Sequence, residues 1–467
     1  MKKKISMFIV LSMLALPMLL IGCNDTSAPP TTGETHSADV SATTTLIKDT
    51  EADIDATSAS ESNEEVEIRA SWWGDTNRHE LYNKIIDEFQ NENPEITVVR
   101  EPLSQTDYWD KFTVQSASGS VPDFLCMHPS RASDYVGRGV MEPLDQYVED
   151  GIIDLSHFSE GAKNTGISNG VQYMVPMGIT FASNYVNLSL LEEIGLEPPK
   201  FDWTWDDLME YGMQAREALD AAGKTDVWLM ADSAIGGYLK YFIRQKGHEE
   251  YDTNGDVLFT VDEIEEYFNI WVELAEKNII ADAATAVEYR SATLEDSLFA
   301  QGRVIIRINP INQYKIYSNT FPDMKITNIR YPSSTNGVVG ESPEGAHFAV
   351  SGSTTSEKKL AAAKLLNFWV NSEKSIDLFR LDQGVPANQK MAEFIIPELD
   401  EQQIHTLDYV TKLSEFATAS IYPPTGAAEI SALLISVNDN VAYGVSTPRE
   451  AAEEYVNGAK EIRSRNQ

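Results

Sequence analysis

The sequence predicts an α/β fold, and three observations carry that prediction. From Val66 onward, short apolar strands alternate with helical stretches. The first of these, Val66 to Arg100, already reads as strand, loop, helix, strand. Only two cysteines, Cys23 and Cys126, occur in 467 residues, so packing must supply the stability that a disulfide framework would otherwise give.

The opening unit sets the pattern. Val66 to Trp72 alternates as a strand, and Asn77-Arg78-His79-Glu80 resembles a capping box that leads into Leu81, Ile85, Ile86 and Phe89 at helical spacing. Asn93-Pro94 stops the helix, and Ile96 to Arg100 is the second strand. In an open parallel sheet, ligands sit beyond the carboxyl ends of the strands, so Trp72-Trp73-Gly74-Asp75-Thr76 is placed to bind. At the far end, Thr447-Pro448-Arg449-Glu450 supplies an N-cap, an N1 proline and an N3 glutamate. Ala451, Ala452, Tyr455, Val456, Ala459 and Ile462 then mark one face of a closing helix. Leu360, Leu365, Leu366, Phe368 and Trp369 fit another packed helix.

Ahead of this body lies an address. Lys2, Lys3 and Lys4 precede an apolar run to Ile21, the pattern of a secretory signal over residues 1–22. Leu20-Ile21-Gly22-Cys23 resembles a bacterial lipobox, in which Cys23 is acylated; the alternative is an ordinary signal peptide or membrane anchor that happens to contain cysteine. Residues 23–65 form the lipidated cysteine and a tether. From Asn24 to Glu65 half the residues are Ser, Thr or Ala, ten are acidic and none is aromatic, so no core can form there. Its reach as a coil is roughly 35 Å. The net charge of −36 excludes nucleic acid as a natural partner.

The order of features resembles the extracellular solute-binding proteins of family 1, the carbohydrate-binding subunits of ABC importers. Tyr173 to Leu208 carries most of it, with Val175-Pro176, Tyr185-Val186-Asn187, Leu190 to Leu196 and Thr204-Trp205-Asp206-Asp207-Leu208 in family order. Phe299-Ala300-Gln301-Gly302-Arg303 and Gly384-Val385-Pro386-Ala387-Asn388 continue it. The resemblance implies a two-lobed periplasmic-binding-protein-like (type II) fold with an interlobe ligand cleft. It places residues 66–175 plus 352–383 in lobe 1 and residues 176–351 plus 384–467 in lobe 2. Crossings are expected near Met177 to Asn184, His347 to Ser353 and Gly384 to Asn388.

By the same resemblance the chain is a non-catalytic receptor that closes around an oligosaccharide and delivers it to ABC permease subunits. It is expected to be monomeric, without cofactor or metal, and anchored by lipid to the extracytoplasmic face of the cell membrane, on a Gram-positive surface. Two rival readings are a ligand-sensing receptor for a membrane kinase and an exported glycoside hydrolase.

Sugars present hydroxyl edges and weakly apolar faces, so a site needs aromatic platforms and a few fixed polar groups. Trp72 and Trp73 are candidate platforms, with core packing as the alternative. Asp75 either accepts sugar hydroxyls or caps the helix. Arg78 and His79 place cations in a first helical turn, where a counter-anion would suit them, which suggests a uronate-containing ligand. Tyr108 follows the second strand, His128 ends the strand Asp123 to Met127, and Gly236-Gly237 would let backbone approach a ligand. Asn309 and His347 complete the candidates, and Tyr422 is a further aromatic one. Cys126 reads as a buried thiol, and Trp203, Trp205, Trp228, Trp271 and Trp369 as packing. Asp252 to Asp256 with Glu263 mimics a calcium loop, but Val257 stands where the turning glycine belongs, so a hairpin fits better.

Overall fold

A computed structural model describes residues 65–232, 234–235 and 237–466. The signal segment, Cys23 and the tether up to residue 64 lie outside the described residues, as does Gly236. Among the described residues no helix is long and apolar enough to cross a membrane.

The first strand, β1 (Val66–Trp73), is parallel to β2 (Ile96–Leu103) and joined to it by helix α1 (Thr76–Glu92). The helix starts earlier than the Asn77–Glu80 pattern suggests, because Asp75 is its N-cap and accepts from the Arg78 backbone N–H at 2.9 Å. Helix α2 (Gln105–Ser118) leads to β3 (Phe124–Met127), followed by α3 (Pro129–Val136). Strand β3 pairs parallel to β1 on its other edge. Two later strands complete this five-stranded sheet: His347–Val350 runs antiparallel to β3, and Met174–Pro176 runs antiparallel to that. Ile68, Phe89, Phe124, Phe348, Leu366 and Trp369 are wholly or almost wholly buried in its core.

A second body has its own antiparallel sheet, in which Ala182–Asn187 lies between Ile326–Ile329 and Ile306–Pro310. Its separate core gathers Val186, Trp203, Tyr267 and Phe268 with the closing helix Pro448–Arg465. That helix begins as the sequence predicts, with a capping box between Thr447 and Glu450 and proline in its first turn. The segment expected to cross at His347 instead enters the first sheet, where His347 to Val350 is buried throughout and paired on both edges. Likewise Ala387, Met391 and Ile395 pack with the first core although they follow the expected boundary at residue 384.

Three chain segments meet at the waist between the two bodies. Gly178–Ile179 pairs antiparallel with Val385–Pro386, and Thr180 bridges Glu344. The backbones are in direct contact there. A Cβ on Gly345 (φ +141°) would sit 2.4 Å from the Gly178 carbonyl oxygen, and one on Gly384 (φ +110°) would sit 2.4 Å from that of Ile179. Both positive φ and lack of space require glycine at these two positions.

Candidate functional site

A cavity of about 620 Å³ opens between the two bodies, within the range usual for small-ligand sites. The first body contributes His128, Arg131, Asp134 and Tyr135, from the end of β3 and the length of α3. The second contributes Gly237 and Lys240 on the helix Gly237–Gln245, and the run Glu249-Glu250-Tyr251. Glu344 enters from the waist, and Ser420 to Pro423 supplies a further wall. Thus the cavity touches both bodies and one of the segments that join them.

Most of the charges on these walls are already engaged. Glu249 pairs with Arg244 at 2.8 Å. Glu344 lies 3.8 Å from the Lys240 ammonium and accepts from the Tyr241 hydroxyl at 3.4 Å. Arg131 stacks its guanidinium 4.6 Å from the centre of the Trp109 ring. Glu250 differs: no hydrogen bond or salt bridge to its carboxyl occurs among the described residues, although Lys240 and Arg244 act on it through space. Burial pushes its pKa up to about 7, with Lys240 opposing the shift. Burial also raises the Asp134 carboxyl, against a backbone hydrogen bond from Gly426. With its pKa near 7, the Glu250 carboxyl holds its proton in a large share of chains at neutral pH and can donate as well as accept, which suits the hydroxyls of a neutral ligand.

The Glu250 shift has a measurable consequence. Unfolded glutamate titrates near 4.5 and the folded group near 7, so the folded chain holds the extra proton between those values. Stability from this group is complete below about pH 4.5 and is lost as the pH rises through about 7. Glu250→Gln should therefore melt at a higher temperature than the parent at pH 8, with the difference shrinking towards pH 5, as read by calorimetry.

The sequence-predicted residues divide sharply. His128 and Gly237 line the cavity. His128 caps α3, its Nδ1 accepting from the Ser130 N–H, and burial lowers its pKa while Glu344 pulls the other way. Trp72 and Trp73 are 0% and 7% exposed. The first packs on Tyr82 and donates from its indole to His79 Nδ1 at 3.2 Å; the second packs on Tyr108 and Trp109. Strand β1 lies inside the sheet with both faces covered, so alternation sends both indoles into the core rather than one to a ligand. Tyr108 is 1% exposed, and its hydroxyl donates to the Cys126 carbonyl.

Arg78 has its counter-anion within the chain: Asp382, at 2.8 Å. Burial works against the charge, but the Asp382 carboxylate more than offsets it and holds the guanidinium pKa above its ordinary value. Asp75 serves as the helix cap. His347 is 1% exposed, with Nε2 2.8 Å from Thr165 Oγ1 and Nδ1 3.1 Å from the Gly345 carbonyl. Burial depresses its pKa to about 3, so it is a neutral structural residue. Asn309 spends its side-chain amide on Gln313. The calcium-like loop is a turn: Asp252 accepts from the Asn254 and Asp256 N–H groups at 2.8 Å each, and Glu263 caps a helix with Thr260. Among the described residues no cluster could hold a metal.

The cavity residues missed from sequence lie close to those found. Arg131 and Asp134 follow His128 at helical spacing, Lys240 is one turn beyond Gly237, and Glu344 immediately precedes Gly345-Ala346-His347. Helical periodicity applied outward from His128 and Gly237 would have reached all but Glu344 and the Glu249–Tyr251 run.

A family model for bacterial extracellular solute-binding proteins matches residues 84–405. A binding protein of Brucella abortus (strain 2308) is 23% identical over 328 residues, covering 67% of this chain and 74% of its own length. Among solved structures, a periplasmic oligogalacturonide binding protein from Yersinia enterocolitica, in complex with saturated digalacturonic acid, superposes with a TM-score of 0.74 at 20% identity over 86% of this chain and 100% of that one. An ABC substrate-binding protein from Listeria monocytogenes, in complex with cycloalternan, gives 0.71 at 20% identity with the same coverage. The chain belongs to the bacterial extracellular solute-binding proteins, and its fold is their two-lobed α/β architecture.

Proposed function

We propose that this bacterial extracellular solute-binding protein holds a neutral oligosaccharide in the cleft between its lobes and delivers it, uncleaved, to an ABC importer. The observation that carries the reading is the cavity itself: both lobes line it, and its walls carry the partly exposed Tyr422 ring beside the carboxyl of Glu250. Rings pack on sugar faces, and the carboxyl meets hydroxyl edges. The two carbohydrate-bound structural neighbours, one holding a digalacturonic acid and one cycloalternan, support carbohydrate as the ligand class, while the neutral charge is argued from this chain's own residues. The uronate suggested by Arg78 and His79 gives way to a neutral sugar, because Asp382 already neutralises Arg78.

Ligand transfer follows from hinge closure. Contacts to both lobes and to Glu344 at the waist favour the closed state, and only that preference can report occupancy to a permease. Acylation at Cys23 with the acidic tether would hold the receptor beside its transporter.

A thermal-shift panel of neutral and uronate oligosaccharides tests this. A ligand that binds only the folded form raises the melting temperature, by an amount that grows with its concentration over Kd. Neutral sugars are expected to stabilise the protein and uronates to leave it unchanged. Stabilisation by uronates alone would overturn the neutral assignment.

A further inference from the structure

We infer that the ligand groove continues beyond the first cavity into a second chamber, so that the protein binds a carbohydrate chain extended across both, with Tyr422 as the partition between subsites. This rests on the carbohydrate reading above. The second chamber has a volume of about 520 Å³. The same elements line both spaces in sequence. Along and just beyond α3, His128 to Arg131, Asp134 and Tyr135 face the first cavity, and Ser133, Val136 and Gly137 face the second. In the second lobe, Glu249 to Tyr251 borders the first and Asp252 to Gly255 the second. Ser420, Ile421 and Tyr422 belong to both. A groove shared wall by wall is continuous in direction, as a linear oligomer requires.

Tyr422 gives the second, independent observation. Its ring packs on the first lobe's core while its hydroxyl is buried with no hydrogen-bond partner. An unpaired buried hydroxyl is costly, and a sugar hydroxyl lying across the partition would supply the missing partner. The chemistry of the second chamber is that of a neutral ligand. Asn164, Ser168, Asn169 and Thr253 offer amide and hydroxyl groups, beside the apolar Ile167 and Pro424. Of its charged side chains, Asp252 is committed to its own turn, and Arg463 donates to the carbonyls of Asn254 and Asn466 while its buried Nε–H has no partner among the described residues.

The test titrates the protein calorimetrically with an array of neutral hexose oligosaccharides of α- and β-linkage, from disaccharides to hexasaccharides. The best-bound hexasaccharide is expected to bind at least about tenfold more tightly than its disaccharide. Ser168→Trp, which fills only the second chamber, should remove most of that advantage and leave disaccharide affinity in place. Tyr422→Ala should weaken the hexasaccharide by about tenfold. Melting curves establish that each variant folds. Equal affinity for short and long sugars in the parent, or equal loss for both lengths in Ser168→Trp, overturns the second chamber while leaving carbohydrate binding intact. Absence of binding to every member of the array overturns the carbohydrate reading itself.

Discussion

Glu341→Ala is expected to destabilise the folded protein by about 3–5 kcal/mol, because it strands a buried guanidinium. Arg330 and Glu341 form two parallel hydrogen bonds, of 2.8 and 2.7 Å, and their side chains are 6% and 1% exposed. The Arg330 carbonyl accepts from Asn184 and Trp203, and Glu341 also takes the Gly340 N–H, while the adjacent Tyr331 and Ser342 hydroxyls are buried without partners among the described residues. Removing one partner leaves the other without water or counter-ion, a cost much larger than the net worth of the pair. The double replacement Arg330→Met with Glu341→Leu should recover most of the loss, which chemical denaturation of all three proteins would measure. Function is tied to the same pair, because Glu341 fixes the start of the segment that carries Glu344 into the cavity wall.

The second large effect belongs to the waist. Gly384→Ala introduces a Cβ 2.4 Å from the Ile179 carbonyl oxygen at a φ of +110°. Neither atom is the end of a flexible side chain, so the two-stranded ladder itself must part. Overpacking together with backbone strain should cost about 2–4 kcal/mol. Gly195→Ala is the matched control: its φ is +69°, and no atom lies within 4 Å of the added carbon. Only the left-handed conformation penalises that change, and about 1 kcal/mol is expected. If the two variants melted alike, close packing at the waist would carry no energetic weight. Ligand affinity should fall in Gly384→Ala alone, since the ladder sets how the lobes approach.

Much of this architecture is written in local pattern. The alternation through Val66 to Trp72, the apolar spacing of Ile85, Ile86 and Phe89, and the Thr447–Glu450 capping box each specify an element through contacts a few residues apart, and each occurs in the structure. Side-chain destinations were less legible. Trp72 and Trp73 look alike whether a strand is an exposed edge or an interior one, and only the pairing of β1 with both β2 and β3 decides the matter. The partner of Arg78 lies 304 residues away, so no local window could distinguish an internal ion pair from a ligand's anion. His128 and Gly237 were found because strand ends and glycines near helix starts have positional meaning. Glu250 was not, because its raised pKa comes from burial within the folded chain, which no local sequence pattern announces.

The most direct test of the central claim is calorimetric titration of neutral oligosaccharides into the protein, with chromatographic recovery of the sugar from the same cell. The account predicts saturable heat at one ligand per chain, abolished or strongly weakened by Glu250→Ala with Lys240→Ala, and sugar recovered at its original length. Shortened sugar in the recovered sample, or full affinity in that double variant, would contradict it.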